Sequence, residues 1–215
     1  MSGIVGSKFN IRGSGLVGSL GTDGQHMLSS GAGKTNVFET VSASADFVKI
    51  TSSSASAAAS LSIDGHFTSD YDRYILHCQG VCFTDTAPAA SDWFTFRLNQ
   101  SATAVTTGYQ YVKLFCYNSG VTAQTDTTYF FGMYLNEDET DNRGNLIIDI
   151  LDPLQTSYYH SVMWRGQGID AGTRYETSLG SGCIASTTAV TGVTLASTST
   201  FPFSIDKVIL YGMKD

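Results

Sequence analysis

Asp92-Trp93-Phe94-Thr95-Phe96-Arg97-Leu98-Asn99 decides the fold. Phe94, Phe96 and Leu98 fall on one side of an extended chain, and Trp93, Thr95, Arg97 and Asn99 fall on the other. That is the period of two of a strand, not the 3.6 of a helix. The run from Tyr109 to Tyr117 repeats it, with Tyr109, Tyr111, Phe115 and Tyr117 set opposite Val112, Leu114 and Cys116. Upstream, Ala55, Ala57, Ala59, Leu61 and Ile63 alternate with Ser54, Ser56, Ala58, Ser60 and Ser62, which predicts one half-buried strand. Tyr71 to Phe83, Tyr158 to Trp164, Thr173 to Ile184, Val190 to Leu195 and Ile205 to Tyr211 also have strand character. So does Asn145 to Leu151, which Asp152-Pro153 stops. Loops rich in Asn, Asp, Gly, Ser and Thr separate these runs. Roughly eight to ten strands, without an internal repeat, predict an all-β antiparallel two-sheet β-sandwich, jelly-roll-like in type.

Composition agrees with strands. Among 215 residues are 26 Ser and 25 Thr, while charged residues make up 14% against about 25% in ordinary globular chains. Aromatics at 12% are too plentiful for disorder. The composition also changes along the chain. Nine of the 22 glycines lie in the first 33 residues, but only Phe9 and Phe38 of the aromatics precede residue 45. A segment so poor in large side chains cannot build its own core. Residues 1–45 are therefore expected to form an extended Gly-rich arm that can span up to about 150 Å, and residues 46–215 the sandwich domain.

Twelve basic against 19 acidic residues give a net charge of −7. Lys and Arg are scattered singly, so the chain lacks the basic footprint that nucleic acid or an anionic membrane surface requires. No apolar run approaches the ~20 residues of a membrane span, and Met1-Ser2-Gly3-Ile4-Val5-Gly6 is unlike a secretory signal. Synthesis in a cytoplasm, without membrane insertion, is expected. Cys78, Cys82, Cys116 and Cys183 form no CxxC pair. Cys78 and Cys82, about 13 Å apart along a strand, cannot bridge, so buried free thiols are expected.

Several motifs look chemical without the context their chemistry needs. Gly13-Ser14-Gly15-Leu16-Val17-Gly18 matches G-x-G-x-x-G, but no strand leads into it and no helix follows to hold a pyrophosphate. Gly31-Ala32-Gly33-Lys34-Thr35 resembles the end of a P-loop, yet Leu28 stands where its first glycine belongs. His26, His66, His77 and His160 are isolated, and no Gly-x-Ser-x-Gly elbow occurs. The acidic run from Asn136 to Asn142 could serve Ca²⁺ or be a solvated turn. Trp93, Tyr109, Tyr129, Tyr158, Tyr159 and Trp164 could stack on sugar rings, or divide between the core and a subunit interface. No catalytic residue, metal or cofactor is assigned, and a non-enzymatic protein is expected.

Ser19 to Gly33 (SLGTDGQHMLSSGAG), closing on Val37-Phe38-Glu39, resembles a recurring segment of tailed-bacteriophage fibre and other virion appendage proteins. In those proteins Trp often stands where this chain has Phe38. Gly3-Ile4-Val5-Gly6-Ser7-Lys8-Phe9-Asn10 is similar to openings of marine phage structural proteins. Phe67 to Leu76 resembles the first long strand of their sandwich domains, and Ile205 to Lys214 resembles their usual terminus. The resemblance implies a virion protein, most simply a homotrimeric tail fibre or similar appendage, whose arm attaches it or interlocks the trimer. The arm's docking positions would include Phe9, Ile11, Gly21, Asp23, Gly24, Gln25, Gly31, Gly33 and Phe38. The implied partners are copies of the chain itself and other virion proteins of the tail or capsid. Two alternatives stay open: a capsid decoration or head-fibre protein, and an adhesin that binds host surface glycan through Trp93, Tyr109, Tyr158 or Trp164.

Overall fold

A computed structural model describes residues 26–28, 37–39, 47–84, 93–117, 120–124, 128–135, 143–169, 175–198 and 201–214. The chain divides into two units, Met1–Ala45 and Asp46–Asp215. In the first, β1 (His26–Leu28) pairs antiparallel with β2 (Val37–Glu39), Met27 lying opposite Phe38. Phe38 therefore has its backbone in β2. Phe9, Ile11, Gly21, Asp23, Gly24, Gln25, Gly31 and Gly33 lie outside the described residues, as do both glycine motifs and the 136–142 acidic run.

The second unit is all-β. Its strands are β3 (Phe47–Ala58), β4 (Ser60–Asp64), β5 (Arg73–Phe83), β6 (Trp93–Gln100), β7 (Thr103–Ala104), β8 (Tyr109–Tyr117) and β9 (Gly120–Gln124). They continue with β10 (Phe130–Tyr134), β11 (Gly144–Leu151), β12 (His160–Ile169), β13 (Tyr175–Ile184), β14 (Gly192–Ser197) and β15 (Phe203–Met213). An eight-stranded sheet in the order β3-β15-β5-β11-β12-β13-β8-β9 packs on a five-stranded sheet, β10-β6-β14-β4 with β7 on β6. Every pairing is antiparallel. This unit is a β-sandwich of unequal sheets.

Two features of the sandwich differ from the sequence pattern. The Ser54–Ile63 alternation is not one strand: it belongs to β3 in the large sheet and β4 in the small one. The backbone kinks near the end of β3 at Ala57, whose φ is 47°, a conformation that costs a non-glycine residue about 1–2 kcal/mol, and the chain passes between the sheets at Ala59. The alanine–serine pattern runs unbroken through the corner, so periodicity could not mark it. The second is β10, Phe-Phe-Gly-Met-Tyr, in which Phe130, Phe131 and Met133 are buried. A bulge between Phe131 and Met133 shifts its register against β6. Such a shift breaks the alternation that sequence reading relies on.

Aromatic side chains from both sheets fill the core. Trp164 on β12 lies 5.4 Å from Phe96 and Tyr111 and 5.2 Å from Phe130, centroid to centroid. Phe94 meets Phe203 edge-on at 5.1 Å. Gly180, beside Trp164 in the β12–β13 register, leaves the space its indole occupies. At one end the sheets pinch together. The Ser178 hydroxyl of β13 donates to the Gly132 carbonyl of β10, and Gly166 of β12 lies against the same carbonyl. A Cβ at position 166 would stand 2.7 Å from the Gly132 oxygen and the Ser178 Oγ, and 2.8 Å from the Met133 Cβ.

Gly166→Val is accordingly expected to lower stability by about 1–3 kcal/mol, read as a fall in the urea unfolding midpoint. Ser161→Ala, on an exposed position of the same strand, should stay within about 0.5 kcal/mol of the parent. Equal midpoints for the two variants would contradict the close approach.

Candidate functional site

The two outer faces of the sandwich differ in chemistry. On the small sheet, Asn99 of β6 donates to Ser62 Oγ at 3.0 Å and Asp64 Oδ1 at 3.2 Å, both on β4. It accepts from the Thr194 hydroxyl of β14 at 2.7 Å. That face satisfies its polar groups internally. On the large sheet, strand alternation turns apolar side chains outward. Val112 is 54% exposed, Leu114 47%, Met163 46% and Leu179 52%.

Strand register assembles these into two adjacent rows. One runs His77, Ile147, Arg165, Leu179, Leu114 across β5, β11, β12, β13 and β8. The other runs Ile75, Asp149, Met163, Ser181, Val112 across the same strands. Apart from His77, these residues together with Arg73 line an open groove of about 620 Å³. The Arg73 Nε–H donates to Asp149 Oδ1 at 2.8 Å, and a second guanidinium N–H donates to Asp149 Oδ2, a bidentate pair. Arg165 is exposed beside Ile147 and Leu179. Partial burial, and secondarily the charge of Arg165, hold the His77 imidazole below its ordinary range. The groove thus offers aliphatic surface, one internally neutralised ion pair and one cation, and can take an apolar surface that carries negative charge.

A second solvent-facing feature is the turn before β12. Tyr158 and Tyr159 are both about half exposed. The Tyr158 hydroxyl donates to Asp152 Oδ2 at 2.9 Å, which raises its own pKa. Gln155 Oε1 accepts from the Ser157 and Tyr158 amides at 2.7 and 2.9 Å and so fixes the turn. Next to it, His160 is buried and its Nε2–H donates to the Thr188 carbonyl at 2.8 Å. Burial pushes its pKa down.

The structure separates the four aromatic candidates. Trp93, Tyr109 and Trp164 are buried in the core, so they form no sugar platform and no subunit contact. Tyr109 is held there by donating to the Val105 carbonyl at 2.9 Å and accepting from the Leu98 amide at 3.1 Å. Tyr158 faces solvent. The physical reason differs between them: Tyr109 and Trp164 share the inward face with Phe96 and Phe130, whereas Trp93, on the other side of β6 from Phe96, is covered by Phe131, Tyr134 and Lys113. All four cysteines are free, but only Cys78 and Cys82 are buried; Cys116 is exposed and Cys183 is half-buried. Among the described residues no group of three His, Cys, Asp or Glu side chains could hold a metal ion. Among the same residues no helix is long and apolar enough to cross a membrane.

Lys113 was not legible as a core residue. It continues the inward phase of Tyr109 and Tyr111 and is fully buried, with Nζ 3.8 Å from the Trp93 ring centre and 4.7 Å from that of Phe131. Burial pushes its pKa down to about 6, against the pull of the Glu176 carboxylate. The ring faces also favour the charged form. The mismatch of a lysine in an aromatic phase was the available signal. Comparison of the chain with protein-family models, with curated proteins and with solved structures finds no match in any of the three.

Lys113 dictates a pH dependence. Between its folded pKa near 6 and the ordinary lysine value of 10.5, the unfolded chain holds a proton that the folded chain does not. Stability therefore rises with pH across that window and lies at its floor below it. Urea unfolding of the parent and of Lys113→Met at pH 6, 7.5 and 9 should show the parent's slope reduced in the variant. Identical slopes would contradict the assignment.

Proposed function

We propose that the chain is a structural component of a bacteriophage virion, a homotrimeric tail fibre or similar appendage protein anchored through its N-terminal arm. The role is structural rather than catalytic, its place is the virion, and its partners are its own copies and other virion proteins. The observation that carries this is the uncovered apolar groove on the large sheet, whose four half-exposed aliphatic side chains make a contiguous patch of the size that often marks a contact surface. A chain built to be covered, with a surface of few charges, suits repetitive assembly. The resemblance of residues 19–33, 67–76 and 205–214 to virion appendage proteins supplies the particle. The arm follows the same logic: a glycine-rich segment pays its ordering entropy when it docks and gains backbone hydrogen bonds there.

A second use of the same molecule, host recognition, is favoured by the exposed Tyr158–Tyr159 pair beside Asp152. Aromatic faces next to a carboxylate suit a sugar ring and its hydroxyls.

Deleting residues 1–40 should leave a folded sandwich with unchanged circular dichroism that no longer joins the particle. Normal incorporation of the truncated chain, measured by quantitative immunoblotting of purified virions, would remove the arm from the anchoring role. Electron cryomicroscopy of the parent particle should place the chain on the tail; density on the shell would make it a decoration protein. On a glycan array, loss of signal in Tyr158→Ala with Tyr159→Ala is the outcome expected of an adhesin.

A further inference from the structure

We infer that the outer face of the large sheet, across β5, β11, β12, β13 and β8, is the seat of a second copy of this chain, in a heterologous contact. The inference deepens the homo-oligomeric reading and rests on it.

Area is the first argument. Val112, Leu114, Met163 and Leu179, each about half exposed, with Ile75 and Ile147 between them, present on the order of 400 Å² of apolar surface. That lies within the range of the largest patch on a typical monomer, and it is about half of the ~800 Å² each partner contributes to a standard interface. A polar rim is available in Gln79, Asn145, Gln167 and Thr177, which share one further row of the register. An apolar centre within a polar rim is the anatomy of a stable interface.

Charge is the second argument. On the outward positions of these five strands, the charged side chains among the described residues are Arg73, Arg165 and Asp149. Arg73 and Asp149 neutralise each other within the chain, so a partner can cover them without leaving a lone buried charge. What remains is Arg165, a single positive charge on a chain whose net charge is −7. Two such faces laid against each other would bring the Arg165 cations into one contact. A face with one cation laid against a different surface of the next copy, a chain with seven more acidic than basic residues, would pair it with a carboxylate instead. The charge pattern therefore selects a head-to-tail contact over a face-to-face one. A head-to-tail contact that closes produces a ring, as in a trimer.

The test uses the full chain. Sedimentation equilibrium of the parent should return the mass of a closed oligomer. Leu179→Arg and Leu114→Arg change exposed positions and should leave the thermal midpoint of folding in place, but each should weaken association at least tenfold and yield monomer at micromolar concentration. Arg165→Glu should weaken association with a loss of its salt dependence. A parent that is monomeric at every concentration would overturn both the oligomeric reading and this surface. An oligomer that survives Leu179→Arg and Leu114→Arg unchanged would overturn the surface alone.

Discussion

The sandwich depends on the packing of Trp164 between its two sheets. The indole belongs to the large sheet yet meets Phe96 and Phe130 of the small one and Tyr111 two strands away in its own. Aromatic pairs at these separations add about 0.5–1.5 kcal/mol each beyond their buried area. The ring fits because Gly180 on the neighbouring strand has no side chain in the way. Phasing of β12 follows from this: with Trp164 inward, Val162 and His160 must also point in, while Met163 and Arg165 must point out. Cross-strand register then transmits that choice to Leu179 and on to Leu114. The apolar outer face is thus a consequence of how the core is filled.

Polar groups inside the sandwich show the same economy. Ser178 uses its hydroxyl on the bulged strand of the opposite sheet, and Asn99 ties its own strand to β14 and β4, both on one side of it. Lys113 is a different case, since aromatic faces and the Glu176 carboxylate surround an amine that burial disfavours in its charged form. Breaking such a site from either side is costly, whereas replacing it with an apolar group of similar size is not.

Periodicity in the sequence is sufficient for the central strands. Tyr109–Tyr117 is a strand with the bounds its alternation gives, and β6, β11 and β13 begin and end within two residues of their patterned runs. What alternation cannot supply is which face is inward, and here lay the difficulty with Trp93, Tyr109 and Trp164. All three are large, amphipathic side chains that suit a core or a surface equally. Burial follows from pairing partners far along the chain, such as Phe130 against Phe96, which no local window contains. The same holds for the groove: Leu114, Leu179 and Ile147 become neighbours only through register. The kink at Ala57 was hidden for a simpler reason, because alanine carries no mark of an unusual backbone, whereas Gly132 at the bulge in β10 was an available signal.

The pairing of β3 with β15 has a mechanical side. Phe47, at the start of the domain's first strand, lies opposite Met213 at the end of its last, and Phe47 stacks on Tyr211 at 4.5 Å. Both ends of the folded unit therefore leave from one corner. A load applied between them would peel β3 from β15 one residue pair at a time, the low-force geometry of a zipper. A load that enters at Phe47 and leaves at Phe203, the far end of β15, would instead strain the whole β3–β15 ladder at once, in shear. The resistance of the domain to force is set by where it is held.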